Sequence, residues 1–585
     1  MKKIISMLMA LTLLCGSLFS LASCGAPEDA GAEIVVDLGD DVFDFDPTDY
    51  YADSNAEQIM SLLYEPLFKI NSKGELEHAA AKEYSVDESE REIKIKLRET
   101  YWSDEIRVYA NDFIYAWREV LLEPSNPNPA AALLYDIENA VAVKAGDLTY
   151  SDLGAVSTGA YEITIKYREG GDYKQLLKNL ASIATSPLRQ DIVSVAKTYW
   201  SKEISSIVTN GPFKLQSLSY DIGEFTLARN VGYHQSPNVE DYTEKVRPAA
   251  LVSFIADDAE YELSYDDIAN KTVFYMGNAS LEVRAANAKK AKAVDTTSVY
   301  SYVFNTDNPI FANKDVRYAL SLAIDRNAVV EAVTFGKAAT GFLPDAAAKA
   351  IYGKNRTACI SSDYESNLSQ AKSLIAGASL TAAQKSFTLT INNDEESSAI
   401  AEIAKAAWTE LGFDVTIKKV STITSKIIDT TLDEEKIITD SAIQTLVKEA
   451  SYGKRNFDVI AVDWQTYSND PIVALSAFTS HMNGNGADFN EGIVRMNISG
   501  WSSNDFDQYV NVAFNAKNSD ERKTALKNAE KILVEEAPIV PVIFNQNFAF
   551  ISSELSSVKV DGFGHFVFNS AKQKNYQKYL PKEEE

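Results

Sequence analysis

A mixed α/β (α+β) architecture is predicted by three observations: strand and helix signatures interleave along the whole chain, no segment repeats, and 45% of the 585 residues are hydrophobic and evenly spread. A chain of that length exceeds what one core usually serves, so several subdomains are expected.

The first element in order is a leader. Lys2 and Lys3 precede the apolar run IISMLMALTLLCGSLFSLAS, which has the charged, hydrophobic and small-residue succession of a secretory signal over residues 1–23. Leu21-Ala22-Ser23-Cys24 then resembles the lipobox of bacterial lipoproteins, in which cleavage before the cysteine leaves its thiol to be acylated. The resemblance implies Cys24 as a lipidation site and residues 24–32 as a lipidated tether. Acyl chains bury about 0.8 kcal/mol per methylene, and several together hold a chain at a bilayer surface. Removing the two leader lysines takes the net charge from −27 to −29, which argues against binding nucleic acid or anionic lipid by charge. The cysteines are Cys15 in the leader, Cys24 and Cys359. No intramolecular disulfide is then available to the mature domain, and burial must supply its stability. No later segment is apolar enough to span a bilayer.

Folded elements follow. In REIKIKLRE, Ile93, Ile95 and Leu97 alternate with charge, the pattern of a half-buried strand. YANDFIYAWREVL spaces Phe113, Ala116, Trp117 and Val120 for one helical face, with Asn111 or Asp112 available as a cap. Residues 315–336 put Val316, Leu320, Ala323, Ile324 and Val330 on a stripe that predicts a helix ending at Gly336. Between 387 and 420, Phe387, Leu389 and Ile391 alternate, AIAEIAKAAWTEL is helical, Gly412 stops it, and Phe413, Val415 and Ile417 alternate again; a strand-helix-strand unit is predicted. Residues 421–454 are polar and weakly patterned and read as a mostly surface insertion. ERKTALKNAEKILVEEA predicts a helix stopped at Pro538, and IVPVIFNQNFAFI a strand.

Enzyme signatures are missing. There is no G-x-S-x-G elbow and no P-loop, and His78, His234, His481 and His565 form no H-E-x-x-H pair. Cys359 sits in polar NRTACISS and reads as an inert thiol. The acidic stretches 40–49 and 256–267 lack calcium-loop spacing and read as turns and solvated faces, as NGNGADFN at 483–490 reads as a tight turn. No metal site and no cofactor is expected. A carboxylate pair leaves no motif, so a surface hydrolase stays an alternative.

Four stretches carry a resemblance over nearly the whole mature chain: residues 62–86 continuing into IKIKLRETYWSDEIRVYANDFIYAWREVL, then 210–234, 301–330, and FDVIAVDWQTYSNDPIVALSAF at 457–478. In this order they resemble the extracellular solute-binding lipoproteins of oligopeptide and dipeptide ABC importers, family 5. The resemblance implies a two-lobed periplasmic-binding-protein type II (Venus-flytrap) fold with an extra subdomain, closing on a solute by hinge motion. It divides the chain into 33–58, 200–302 and 538–585 as lobe I, 59–199 as the extra subdomain, and 303–537 as lobe II. Tyr64, Pro66, Leu67, Phe68, Trp102 and Trp117 read equally as core. Gly211-Pro212 marks a strand start, Asn230 a turn, and Asp46-Pro47 a bend at the cleft edge.

One departure matters. The family's cleft loop carries an aspartate shortly after a tryptophan, and that aspartate captures the peptide's α-amino group; aligned on Trp464 and Pro471, its place is taken by Tyr467. A neutral phenol forms no ion pair, and a charge-assisted bond of roughly 1.5–3 kcal/mol is lost. Asp463 or Asp470 acting from a shifted register, a blocked or modified peptide, or another solute stacking on Trp464 and Tyr467 are the readings left open. In PNPAAALLY, residues 127–135, relatives place an aromatic toward the cleft where this chain has alanine. The chain is thus expected to be a monomeric substrate-binding lipoprotein at the outer face of the bacterial cytoplasmic membrane. Its partners would be a peptide or related solute and an ABC permease, with ligand-binding residues Trp464, Tyr467, Asp470 and Asp463, no nucleic acid and no catalysis. A non-transport peptide receptor is the other alternative.

Overall fold

The computed structural model describes residues 29–39, 44–49, 54–196, 199–219, 223–239, 242–254, 263–354, 356–429, 434–482 and 495–579. The leader, Cys24, the 483–490 turn and most of the 256–267 acidic stretch lie outside them.

Long β-branched and aromatic runs build the main sheet, because such side chains pack well on a pleated surface. Eleven described strands share it. From one edge the order is Asp414–Val420, Ser386–Asn392, Val459–Gln465, Lys292–Phe304, Ile539–Ile551, Tyr275–Met276, Glu33–Asp37, Ala250–Phe254, Glu224–Arg229 and Phe213–Ser219; Lys337–Ala338 pairs with Ile539–Ile551 off this path. The strand-helix-strand unit forms as predicted. Ser386–Asn392 runs parallel to Asp414–Val420 through helix Glu395–Glu410, and Gly412 takes the left-handed φ of +90° that ends it.

Two strands of 13 residues, Lys292–Phe304 and Ile539–Ile551, cross from one half of the sheet to the other. Their antiparallel register breaks between Asp295 and Val299, so Thr296, Thr297 and Ser298 face Asn545 alone. Such a bulge kinks both strands where the halves join. Gly564 lies against this point at φ +93°, and a Cβ there would meet the Asp295 carbonyl oxygen at 2.3 Å.

A second, four-stranded antiparallel sheet orders Ala81–Asp87, Glu92–Leu97, Glu162–Lys166 and Ala155–Gly159. Ile93, Ile95, Leu97, Ile163 and Ile165 turn one face into the core, the alternation read from REIKIKLRE. Trp102 and Trp117 are fully buried beside it, and both indole nitrogens find acceptors: Asp112 Oδ2 at 3.0 Å and the Thr185 carbonyl at 3.0 Å. Tyr64, Leu67 and Phe68 are core residues. Gly211 packs so tightly on them that a Cβ would sit 2.4 Å from the Leu63 carbonyl carbon.

Several expectations need correction. Helix 110–121 is capped by neither Asn111 nor Asp112 at the cap position: Tyr109 stands there, Asp112 reaches back to accept its N–H at 2.9 Å, and the second half, Ala116–Leu121, is a π-helix that leaves Val120 half-buried. The stripe over 315–336 is two helices, Lys314–Ala323 and Arg326–Val333. Ile324 is extended between them, because Asp325 accepts the N–H groups of Asn327 (3.0 Å) and Ala328 (3.1 Å) and so starts a new helix. Residues 421–454, read as a mostly surface insertion, carry more regular structure than their weak pattern signals: strands Thr422–Asp429 and Glu434–Ser441 pair antiparallel, and helix Ala442–Ser451 buries Ile443, Val447 and Ala450. Among the described residues no helix is long and apolar enough to cross a membrane.

Candidate functional site

Strand Val459–Gln465 is the third from its edge of the sheet and runs alongside the crossing strands, with Asp463 opposite Tyr300, Trp464 opposite Val299 and Gln465 opposite Ser298. Alternation then divides its side chains between two faces. Trp464 turns into the lobe, 3% exposed, with its ring 4.9 Å from Phe478. Asp463 turns the other way and accepts from Asn545 Nδ2 at 2.6 Å; the same amide donates to Ser298 Oγ at 3.0 Å.

The loop that follows is tied to the hinge bulge. Thr466 donates its N–H (3.0 Å) and its hydroxyl (2.6 Å) to the Thr297 carbonyl. The Ser468 N–H then donates to the Thr466 carbonyl at 2.6 Å, a three-residue γ-type turn with Tyr467 at its apex, φ +57° and 1% exposed. A left-handed φ is costly for an aromatic residue and is held only where surroundings over-determine it. Asp470 caps helix Pro471–Ser476, Oδ1 accepting from Ile472 N at 3.1 Å, and pairs with Arg522 at 3.1 Å.

Asn179, on helix Tyr173–Asn179 beyond the four-stranded sheet, closes the gap to this loop. Its amide donates to Asp470 Oδ2 at 3.2 Å and its carbonyl accepts from Ser468 Oγ at 3.1 Å. Nearby, Arg168 pairs with Asp136 at 2.8 Å, donates to the Phe514 carbonyl at 2.7 Å and stacks on that ring. The 3-10 turn Pro129–Leu134, within PNPAAALLY, is wholly buried and packs on helix Pro471–Ser476. These bonds join the 59–199 segment to the 303–537 segment, which the resemblance assigns to different bodies. Asn179→Ala removes two bonds of about 0.5–1.5 kcal/mol each, so the ligand-free equilibrium is expected to move about tenfold toward the open form; a larger radius of gyration in solution scattering checks it.

A separate cluster is ionic. Lys202 joins Asp44 (3.5 Å) and Asp440, and Lys448 joins Asp49 (3.8 Å), around a cavity of ≈ 290 Å³ lined also by Gln444, Thr445, Glu449 and Tyr452. Asp46 makes the predicted bend beside them, accepting the N–H and hydroxyl of Thr48, both at 2.8 Å. Burial, then the Asp44 and Asp49 carboxylates, push Asp46 up to about 7. A carboxyl that holds its proton more tightly folded than unfolded destabilises the fold as pH rises from its ordinary 3.8 through that value. Asn at position 46 still accepts from Thr48. Asp46→Asn is therefore expected to raise stability at pH 8 by about 1–2 kcal/mol, discounted for partial exposure, and to change little at pH 4; chemical denaturation at both pH values decides.

Residues 75–486 match the model of the bacterial extracellular solute-binding proteins, family 5. The chain belongs to this family. Among curated family 5 relatives, dipeptide-binding protein DppE of Bacillus subtilis is 26% identical, with 93% of this chain and 94% of that protein covered; the periplasmic murein peptide-binding protein MppA of Escherichia coli is 27% identical, with 86% of each covered. Solved structures confirm the two-lobed type II fold. That of the E. coli murein tripeptide binding protein MppA superposes with a TM-score of 0.75 at 23% identity, covering 93% of this chain and 98% of the other. Haemophilus influenzae OppA in complex with RPPGFSPFR gives 0.73 at 19% identity, covering 93% and 99%. MppA in an unliganded open form gives only 0.54 at 22% identity, covering 93% and 97%. The MppA fold thus scores 0.75 in one structure and 0.54 in the unliganded open form.

Of the residues singled out by sequence, Asp463, Trp464, Tyr467 and Asp470 lie on one strand-and-loop at the hinge, with Asp470 engaged in capping and ion pairing. Asn179, Arg522, Thr297 and Thr466 were not singled out. Thr466 stood inside the quoted cleft loop and Arg522 inside the predicted helix ERKTALKNAEKILVEEA, neither marked for this role; Asn179 and Thr297 are common residues that tertiary contact alone brings in.

Proposed function

We propose that the chain is a lipid-anchored receptor that closes its lobes on a peptide or related small solute and delivers it, chemically unchanged, to an ABC permease. The observation that carries this reading is the family match over residues 75–486, supported by a superposition that scores 0.73 on a peptide complex and 0.54 on an unliganded open relative. A ligand shifts a hinge equilibrium only by its preference for the closed form, and the loop 464–470, bonded to the Thr297 carbonyl of a crossing strand and, through Asn179, to the extra subdomain, would express that preference. Anchoring through Cys24, after removal of residues 1–23, would hold the receptor near its permease and raise their effective concentration. The lobes are assigned as 33–58, 200–302 and 538–585 for lobe I and 303–537 for lobe II, with 59–199 as the extra subdomain, in a monomer.

Within the cleft we assign Asp463, Tyr467 and Asp470 to the ligand side, with Trp464 packed behind them against Phe478. Tyr467 offers a neutral phenol where a carboxylate would bind an ammonium. Asp470 acts by joining lobe II to the extra subdomain through Asn179. Gentle purification, denaturation and mass spectrometry of the released small molecules test the reading: intact peptides are expected. Recovery of only non-peptide solutes overturns the peptide assignment, and turnover of an added peptide or glycoside overturns the binding-only one.

A further inference from the structure

Gln465 is 1% exposed, yet neither Oε1 nor Nε2 of its side chain has a hydrogen-bond partner. A carboxamide offers two donors and an acceptor, and a buried polar group left unmet demands a reason. Gln465 ends strand Val459–Gln465, opposite Ser298, so it shares the face of Asp463 and points away from the Trp464 side. Asn545 gathers Asp463 and Ser298 on that face, which makes a polar row leading to the hinge bulge. Thr297, whose carbonyl takes both bonds from Thr466, is 2% exposed and leaves its own hydroxyl unmet as well. Two buried side chains with unsatisfied polar atoms therefore flank the junction of hinge and loop.

We propose that Gln465 is a specificity-determining residue of the cleft, its carboxamide pairing donor to acceptor with an amide of the ligand, either a peptide bond or an acylated amino end, with the Thr297 hydroxyl as a second contact. This rests on the peptide reading above. A desolvated amide without partners opposes folding of the empty closed form and is relieved when the ligand supplies the complementary pair. The same group that reads the ligand thus costs stability without it, a signature that a merely structural glutamine does not share.

The test uses the full mature chain, stripped of carried ligand by unfolding and refolding, as wild type, Gln465→Leu and Gln465→Met. Each is titrated with a casein-derived peptide pool and with the same pool acetylated, following melting temperature and native mass spectra. Both variants are expected to melt, ligand-free, at or above wild type, and to need roughly tenfold or more peptide for the same shift. If acetylated peptides suffer most, the acylated end is the group read; if both pools suffer alike, it is an internal peptide bond. Variants that bind either pool as wild type does, or that melt lower without ligand, overturn the proposal. A wild type that answers to no member of either pool overturns the peptide reading, and this inference with it.

Discussion

Glu530→Ala is expected to lower the free energy of unfolding by about 3–5 kcal/mol, the range for stripping a buried, hydrogen-bonded charge from its partners. Glu530 lies on helix Ser519–Glu536 with no exposed surface. Its Oε1 accepts the N–H groups of Phe342 and Leu343, both at 3.0 Å, and Arg356 Nη2 at 3.1 Å; its Oε2 accepts the Tyr352 hydroxyl at 2.8 Å. One carboxylate thereby anchors the 342–343 turn, the helix Asp345–Tyr352 and a largely buried guanidinium. Alanine leaves two amide donors and the Tyr352 hydroxyl without this acceptor, and leaves Arg356 only Asp345, at 3.6 Å. Glutamine keeps an acceptor oxygen for the two amides, so Glu530→Gln should lose about half as much. Urea unfolding of the three proteins measures both; a loss below about 1 kcal/mol for alanine contradicts the account.

His565→Ala should cost a similar amount at pH 6, with a pH dependence that identifies the cause. The ring is 1% exposed, its Nδ1 2.9 Å from Asp561 Oδ2 and its Nε2 3.3 Å from Glu57 Oε1. Burial disfavours the cation, but the Asp561 and Glu57 carboxylates outweigh it and push His565 up to about 10. The folded protein holds this proton more tightly than the unfolded chain, whose histidine keeps its ordinary 6.5. The contribution is therefore complete below that value and is lost as the pH rises through about 10. Removing the ring at pH 6 leaves Glu57, 5% exposed, as a buried charge, at about 3–5 kcal/mol. Stability measured from pH 6 to 10 should fall for wild type and converge on the variant. A constant gap across that range contradicts the charged histidine.

Much of this fold was legible because its elements obey one period at a time. The strands 386–392 and 414–420, the helix between them and the strand 539–551 each bury one clear stripe or run, and each stands where the pattern put it. Misreadings came where two signals overlapped. Over 315–336 the apolar stripe continues through Asp325, whose capping ability outweighed the stripe and split the helix. The 422–441 hairpin carries threonines and charges with little apolar alternation, so its pairing was hidden among polar residues. At the site, the run from Asp463 to Asp470 stood out by its resemblance to a cleft loop. Its meaning depends on Asn179, Thr297 and Arg522, which no local pattern marks, and on the bulge opposite Asn545, which arises only when two long strands pair. Gln465 was in view from the start, but an unmet amide is a property of surroundings rather than of sequence.

The central claim is a clamp whose two lobes shut on a small guest across the bulge at Thr296–Ser298. Small-angle scattering of one preparation, before and after its carried ligand is stripped and again after the recovered ligand is restored, tests it most directly. The account predicts expansion on stripping and contraction on restoration; superimposable profiles in all states, with ligand occupancy verified by native mass spectrometry, would contradict it.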